Sequence, residues 1–314
     1  MTIEVTGKEK AIVFGGAGFL GSYVADNLSD KGIDVAIFDL KESPHLRNDQ
    51  QMIVGDILDF ETVKASIFDC DYVYHFAGIA GIAEASRSPR ETISINVLGT
   101  TNILEACSAH TVKRFIFASS VYVYSDLAPF YRSSKQACEL IIEDYYSTYN
   151  VPYTILRYGS LYGNRANHFN FIYTIIQQAI EEGKIVREGN GEEVRDYIHV
   201  LDAARCSVDI LQDDFENQYV MITGTQSTKV KDLLTMIKEI FQNKIEIIYT
   251  DVKDDDAHYE ITPYSFRPTV AKKLVSNYYH DLGQGVLDVA YEIYSKSNCS
   301  NDDLVSVLKL ISPQ

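Results

Sequence analysis

Basic side chains are scarce: 28 Lys and Arg stand against 44 Asp and Glu, a formal net charge of -16. A surface this acidic repels polyanions, which argues against nucleic acid or an anionic membrane as a partner. A small phosphate-bearing molecule is not excluded, because backbone amides and one or two arginines suffice to hold it. No stretch approaches the ~20 apolar residues of a membrane span, and the opening MTIEVTGKEK lacks the charged-then-apolar pattern of a signal peptide. A cytoplasmic location is expected. The five cysteines (Cys70, Cys107, Cys138, Cys206, Cys299) form no CxxC pair and no metal-ligand spacing, and their odd number points to reduced thiols and no metal site. Low-complexity runs and internal repeats are also missing. With 46% hydrophobic residues, this is the composition of an ordinary folded protein, long enough for one large α/β domain or two smaller ones.

What the chain does have is alternation. Apolar runs at Ala11–Phe14, Val35–Asp39, Met52–Gly55, Tyr72–Phe76, Arg114–Ser119, Tyr153–Tyr158 and Tyr219–Ile222 read as strands. Helical patterns lie between them at Leu20–Lys31, Thr62–Phe68, Ser88–His110 and Tyr131–Tyr149. Runs such as AIVFGG and YTILRYG are continuously apolar, as in central strands covered on both faces. The pattern predicts an α/β fold, a doubly wound parallel sheet with a small C-terminal lobe. Residues 1–165, with part of 195–225, are assigned to the sheet domain, and 166–194 with 226–314 to the lobe. In that lobe helices are expected at Phe171–Glu182, Val230–Phe241 and Gly285–Lys296, and Asp251–Asp256 reads as a solvated loop.

The first strand runs into Gly15-Gly16-Ala17-Gly18-Phe19-Leu20-Gly21 and then a helix. In a Rossmann-type βαβ unit Gly15 permits the tight turn, Gly18 lets backbone approach a pyrophosphate, and Gly21 lets helix and strand pack closely. Asp39 ends the second strand at about the expected 20-residue distance and can accept both hydroxyls of a ribose. Its carboxylate would repel a 2′-phosphate, so NAD is expected rather than NADP, although Lys41 follows two positions on. Asp56 and Ile57 after the third strand are candidates for the adenine edge. Phe76, Ala77 and Gly78 after the fourth let backbone pass close to the cofactor, and His75 reads as a packed histidine.

Tyr131 and Lys135, i and i+4 on a predicted helix, share one face. A phenol with a pKa near ~10 is a poor base, but a neighbouring ammonium and a cationic nicotinamide favour its phenolate. The strand RFIFAS ends on Ser119-Ser120. Ser120 is the candidate to hydrogen-bond the reacting oxygen beside Tyr131, with Ser119 nearer the cofactor, while Lys135 also holds the nicotinamide ribose.

These motifs, together with HFAG, NVLGTTNILEAC, LRYGSLYGNR and GNGEEVRDYIHVLDAA in the same order, make the chain resemble the extended short-chain dehydrogenases/reductases, in particular the NAD-dependent nucleotide-sugar epimerases and dehydratases. The resemblance implies cofactor contacts by Phe19, Leu20, Leu40, Asn96 and Tyr158 as well. It further implies that Arg195, Arg165 and Asn170 face a UDP-, GDP-, dTDP- or CDP-linked sugar, with Arg267 a weak substitute for a late arginine of the family. The segments Ser88–His110 and Tyr131–Tyr149 resemble the helix pair that makes a homodimer there.

Two departures narrow the reaction. The 4,6-dehydratases of the family place an Asp-Glu pair directly after the catalytic Ser/Thr, and this chain has Val121-Tyr122. The interval from Ser120 to Tyr131 spans only eleven positions, with Asp126-Leu127-Ala128-Pro129 where relatives insert a longer loop. The leading expectation is a nucleotide-sugar 4-epimerase working through a 4-keto sugar. Behind it stand a sugar-nucleotide dehydrogenase or 4-ketoreductase, a dehydratase without the acid pair, and a non-catalytic NAD(H)-sensing module.

Overall fold

The computed structural model describes residues 7–251, 271–274 and 279–296. They form two compact units, 7–158 with 204–221 and 271–274, and 159–203 with 222–251 and 279–296. The division falls after Tyr158, where 165 was expected, and 195–203 group with the second unit.

In the first unit, β1 (Lys10–Phe14) buries four of its five residues and the strand Tyr153–Tyr158 buries all six. Between them lie β2 (Asp34–Asp39), β3 (Gln50–Val54), β4 (Tyr72–His75) and β5 (Arg114–Ser120), and Tyr153–Tyr158 is β6. The sheet runs β3-β2-β1-β4-β5-β6, then Gln218–Ile222 and Lys272–Lys273. Every pairing from β3 to β6 is parallel. Strand order reverses between β1 and β4, so a ligand crevice is expected beyond their carboxyl ends.

Helices α1 (Phe19–Asp30), α2 (Phe60–Ile67), α3 (Ile82–Arg87), α4 (Pro89–Thr92), α5 (Gly99–Ser108) and α6 (Tyr131–Tyr149) belong to this unit. Asp59 caps α2, its carboxylate accepting from the Thr62 amide and hydroxyl. Phe14, Phe38, Ile103, Phe115, Cys138 and Ile142 meet in one core cluster. The single helix expected over Ser88–His110 is α4, a π-turn at Ile93–Leu98 and α5, preceded by the unforeseen α3. Cys70, Cys107, Cys138 and Cys206 are free thiols, and Cys299 lies outside the described residues.

The second unit contains strands as well as the expected helices. Ser160–Tyr162 pairs parallel with Val194–His199, which pairs antiparallel with Ser227–Lys229, and Lys184–Glu188 pairs parallel with Glu246–Thr250. The expected helices form as Phe171–Glu182, Val230–Ile240 and Leu282–Lys296. They pack around Ile176, Ile180, Leu234, Ile237, Val289 and Ile293. Of Asp251–Asp256 only Asp251 is described. Among the described residues no helix is long and apolar enough to cross a membrane, and no cluster of side chains could hold a metal.

Candidate active site

The carboxyl ends of β1 to β4 open into a cavity of about 1070 Å³ in the first unit. Gly15, Gly18, Asp39, Leu40, Asp56, Ile57, Phe76, Ala77 and Gly78 line it, nine of the residues expected to meet the cofactor. Its glycines are where side chains cannot go. Gly15 has φ of +79°, and a Cβ there would lie 2.5 Å from the Ala77 amide nitrogen; at Gly21 a Cβ would lie 2.3 Å from the Gly15 carbonyl oxygen. α1 begins at Gly18 with no side-chain cap, so its first amides stay available to an anion.

Asp39 is held ready: one carboxylate oxygen accepts the Ala17 amide at 3.0 Å and the other the Leu40 amide at 2.8 Å. The remaining lone pairs suit the two hydroxyls of a ribose. Asp39 lines the cavity and Lys41 does not, so the carboxylate beside the ribose position opposes a 2′-phosphate there. The residues therefore fit a dinucleotide of the NAD type.

Several expected contacts take other positions. Gly21 serves helix packing, and Phe19 and Leu20 form the first turn of α1 without lining the cavity. Asn96 is buried in the π-turn. Its carboxamide accepts the Ile79 amide (2.7 Å) and donates to the Ile79 carbonyl (3.0 Å) and to Ser134 Oγ (3.0 Å), clamping the cavity wall from behind. The Asn96 carbonyl accepts from Thr100 Oγ1 and Cys138 Sγ. Tyr158 is buried, its hydroxyl sharing a hydrogen bond with Ser207 Oγ at 2.6 Å and its pKa pushed far up by burial. Ser119 was expected nearer the cofactor; its hydroxyl instead donates to Glu139 Oε1 at 2.6 Å.

The residues expected to transfer the proton lie at the end of β5 and on the first turns of α6. Lys135 is buried, donates from Nζ to the Ala118 carbonyl at 2.8 Å and lies over the Phe117 ring; burial lowers its pKa. Ser120 Oγ accepts the Tyr122 amide at 3.2 Å and so caps the 3-10 turn Val121–Tyr124. Tyr131 opens α6, buried, with its ring edge-on to Tyr122. The short interval is pinned to the helix: Gln136 Nε2 donates to the Val123 carbonyl at 2.7 Å and Arg132 Nη1 to the Ser125 carbonyl at 3.0 Å. Ala128 and Phe130 take positive φ to make the turn.

Sequence reasoning missed Glu139 and Arg157. Arg157 donates to both Glu139 oxygens (2.9 and 2.7 Å) and to the Tyr124 hydroxyl, and stacks on Tyr124 and Tyr219. The signal was present: Glu139 continues the Tyr131, Lys135 spacing by another four residues, and Arg157 is the charged residue inside an apolar strand. His75, read as packed, is buried between aromatic rings with Nε2 on Thr100 Oγ1 at 2.9 Å, and burial lowers its pKa to about 3.

The substrate candidates lie in the second unit. Arg195 is buried on Val194–His199 and donates to the Val194 carbonyl. Arg165 takes a left-handed φ of +64°, its amide donating to the Glu292 carboxylate. Asn170 caps Phe171–Glu182, accepting the Tyr173 amide and donating to the Leu161 carbonyl, a different task from the expected substrate contact. Arg267 lies outside the described residues.

Sheet order, glycine turn and Asp39 together define an α/β dinucleotide-binding protein of the Rossmann type, built as an extended short-chain dehydrogenase/reductase. Residues 11–222 match the NAD dependent epimerase/dehydratase family. The chain belongs to that family, as an enzyme whose cofactor is NAD. It is 29% identical to a putative UDP-glucose 4-epimerase of Methanocaldococcus jannaschii, over 79% of this chain and 87% of that one. It is 26% identical to a UDP-N-acetyl-alpha-D-glucosaminuronate decarboxylase of Bacillus cytotoxicus, over 77% and 83%. In fold it is similar to the UDP-glucose 4-epimerase of Thermus thermophilus, crystallised with NAD, with a TM-score of 0.78 at 22% identity over 92% of this chain and all of that one.

Proposed function

We propose that the protein is a nucleotide-sugar 4-epimerase. The observation that carries this reading is the junction of β5 and α6: Ser120 ends β5, Tyr131 and Lys135 stand four residues apart on α6, Lys135 is bonded to the Ala118 carbonyl of β5, and no carboxylate directly follows Ser120. Bound NAD supplies a reversible hydride acceptor. Gly15, Gly18, Asp39 and Asp56 would hold it. Tyr131 takes the proton of the C4 hydroxyl and later returns it, and Ser120 donates a hydrogen bond to the same oxygen. Lys135, anchored on Ala118, favours the phenolate by its charge. Val121 and Tyr122 provide no acid for loss of water at neutral pH, which places dehydration behind epimerisation. The relatives include a decarboxylase, so the fate of the keto sugar is the point to test.

A UDP-sugar is the first substrate to try, with Arg195 and Arg165 as candidate diphosphate ligands. The π-turn before α5 exposes Leu98, and α6 exposes Leu140, Tyr146 and Tyr149, a suitable face for a homodimer. The test is incubation of purified enzyme with UDP- and GDP-sugars without added cofactor. Interconversion of a C4 epimer pair, abolished in Tyr131→Phe, is expected. Net NADH formation, release of carbon dioxide or loss of water with no epimer formed would overturn the reading in favour of a dehydrogenase, a decarboxylase or a dehydratase respectively.

A further inference from the structure

We propose that Arg87 and Arg90 are the cationic grip for the diphosphate of the bound dinucleotide. The inference rests on the NAD reading of the cavity and adds residues that no motif marked.

The charge of the cavity carries the argument. Its lining includes four carboxylates, Asp39, Asp56, Glu84 and Glu91, in a chain of net charge -16. A dinucleotide diphosphate brings two more negative charges. The amides at the start of α1 offer only about half a positive charge between them, and the glycine turn contains no basic residue. Arg87 and Arg90 are the cationic side chains on the lining. They reach it from either side of a break in the backbone, Arg87 ending α3 and Arg90 sitting in the first turn of α4.

Their lack of commitment is the second observation. Arg47, Arg114, Arg157 and Arg187 each pair with a carboxylate. Neither Arg87 nor Arg90 has such a pair among the described residues, although Glu84 and Glu91 line the same cavity. Arg87 makes one weak bond, Nε to the Ala83 carbonyl at 3.3 Å, which leaves its terminal nitrogens available. Both side chains are exposed, so neither is required to hold the fold. A planar fork of donors with permanent charge suits two adjacent phosphates, which it can hold by paired bonds.

The test loads wild type and the Arg87→Ala/Arg90→Ala double variant with NADH and displaces it with ADP-ribose and, separately, with adenosine, following NADH fluorescence. The ratio of the two displacement constants isolates the phosphates from the adenosine end. In the double variant the preference for ADP-ribose over adenosine should fall at least fivefold, NADH should leave faster, and Arg87→Lys/Arg90→Lys should restore part of the preference. A fall of less than fivefold overturns the proposal, as does an equal weakening of adenosine, which would place the arginines at the base or ribose. A wild-type chain that takes up no NADH would sink the cavity assignment and this proposal together, and no other outcome does both.

Discussion

Two buried polar clusters flank β5, and they are built on opposite principles. On the β6 side, Ser119, Glu139 and Arg157 form a charged cluster in which both carboxylate oxygens and the guanidinium are engaged. On the β4 side, His75 and Thr100 form a neutral one. There Thr100 donates its hydroxyl hydrogen to the Asn96 carbonyl, so His75 carries its proton on Nε2, and its buried Nδ1 has no hydrogen-bond partner among the described residues. A charged group can be buried in the interior at tolerable cost only if it is saturated. A neutral one tolerates an empty lone pair, at the cost of refusing a proton.

The sharpest way to break the contrast is Glu139→Ala, which takes the carboxylate away from the buried Arg157 guanidinium. A loss of about 3–5 kcal/mol is expected in urea unfolding. Glu139→Met with Arg157→Met should recover most of that stability, since removing both charges also removes the demand. The neutral cluster should respond to pH instead. The folded-state pKa of His75 is depressed to about 3, against about 6.5 in the unfolded chain. Its contribution is therefore complete above pH 6.5 and is lost as pH falls from there toward 3. Between pH 7 and pH 5 the loss should be about 2 kcal/mol, and His75→Gln should flatten that part of the profile. His199, lowered to about 4 mainly by burial, adds a slope of the same sign and sets the residual in that variant. The smallest effect belongs to Ser119→Ala, at about 1.5 kcal/mol, the low end for one hydrogen bond to a charged group. It should vanish in the Glu139→Met/Arg157→Met background if the two residues act as one cluster.

Of this architecture, the parts written in short-range pattern were legible. Five glycine-turn and strand-end positions, Gly15, Gly18, Asp39, Asp56 and Gly78, could be placed on the cavity because a strand, its turn and the next helix are contiguous in the chain. The two clusters were harder to see. Arg157 and Glu139 lie 18 positions apart on different elements, and only packing shows that the charge inside β6 has a mate. The strands of the second unit escaped for a related reason: Lys184–Glu188 pairs with Glu246–Thr250, and a strand whose partner is some sixty residues away leaves little local trace. Asn170 and Ser119 show what motif position leaves out, since their side chains also serve a helix cap and a buried carboxylate.

The π-turn at Ile93–Leu98 sets a phase. Each α-helical residue advances the chain by about 100°, so one wider turn leaves the residues before it rotated relative to those after. Ser94 and Ile95 look into the cavity while Ile103 and Leu104 sit in the core, and Asn96 between them grips Ile79. The length of the chain here is therefore information in its own right. An insertion or deletion of one residue would rewrite the shape of the cofactor wall without changing the identity of any residue that lines it.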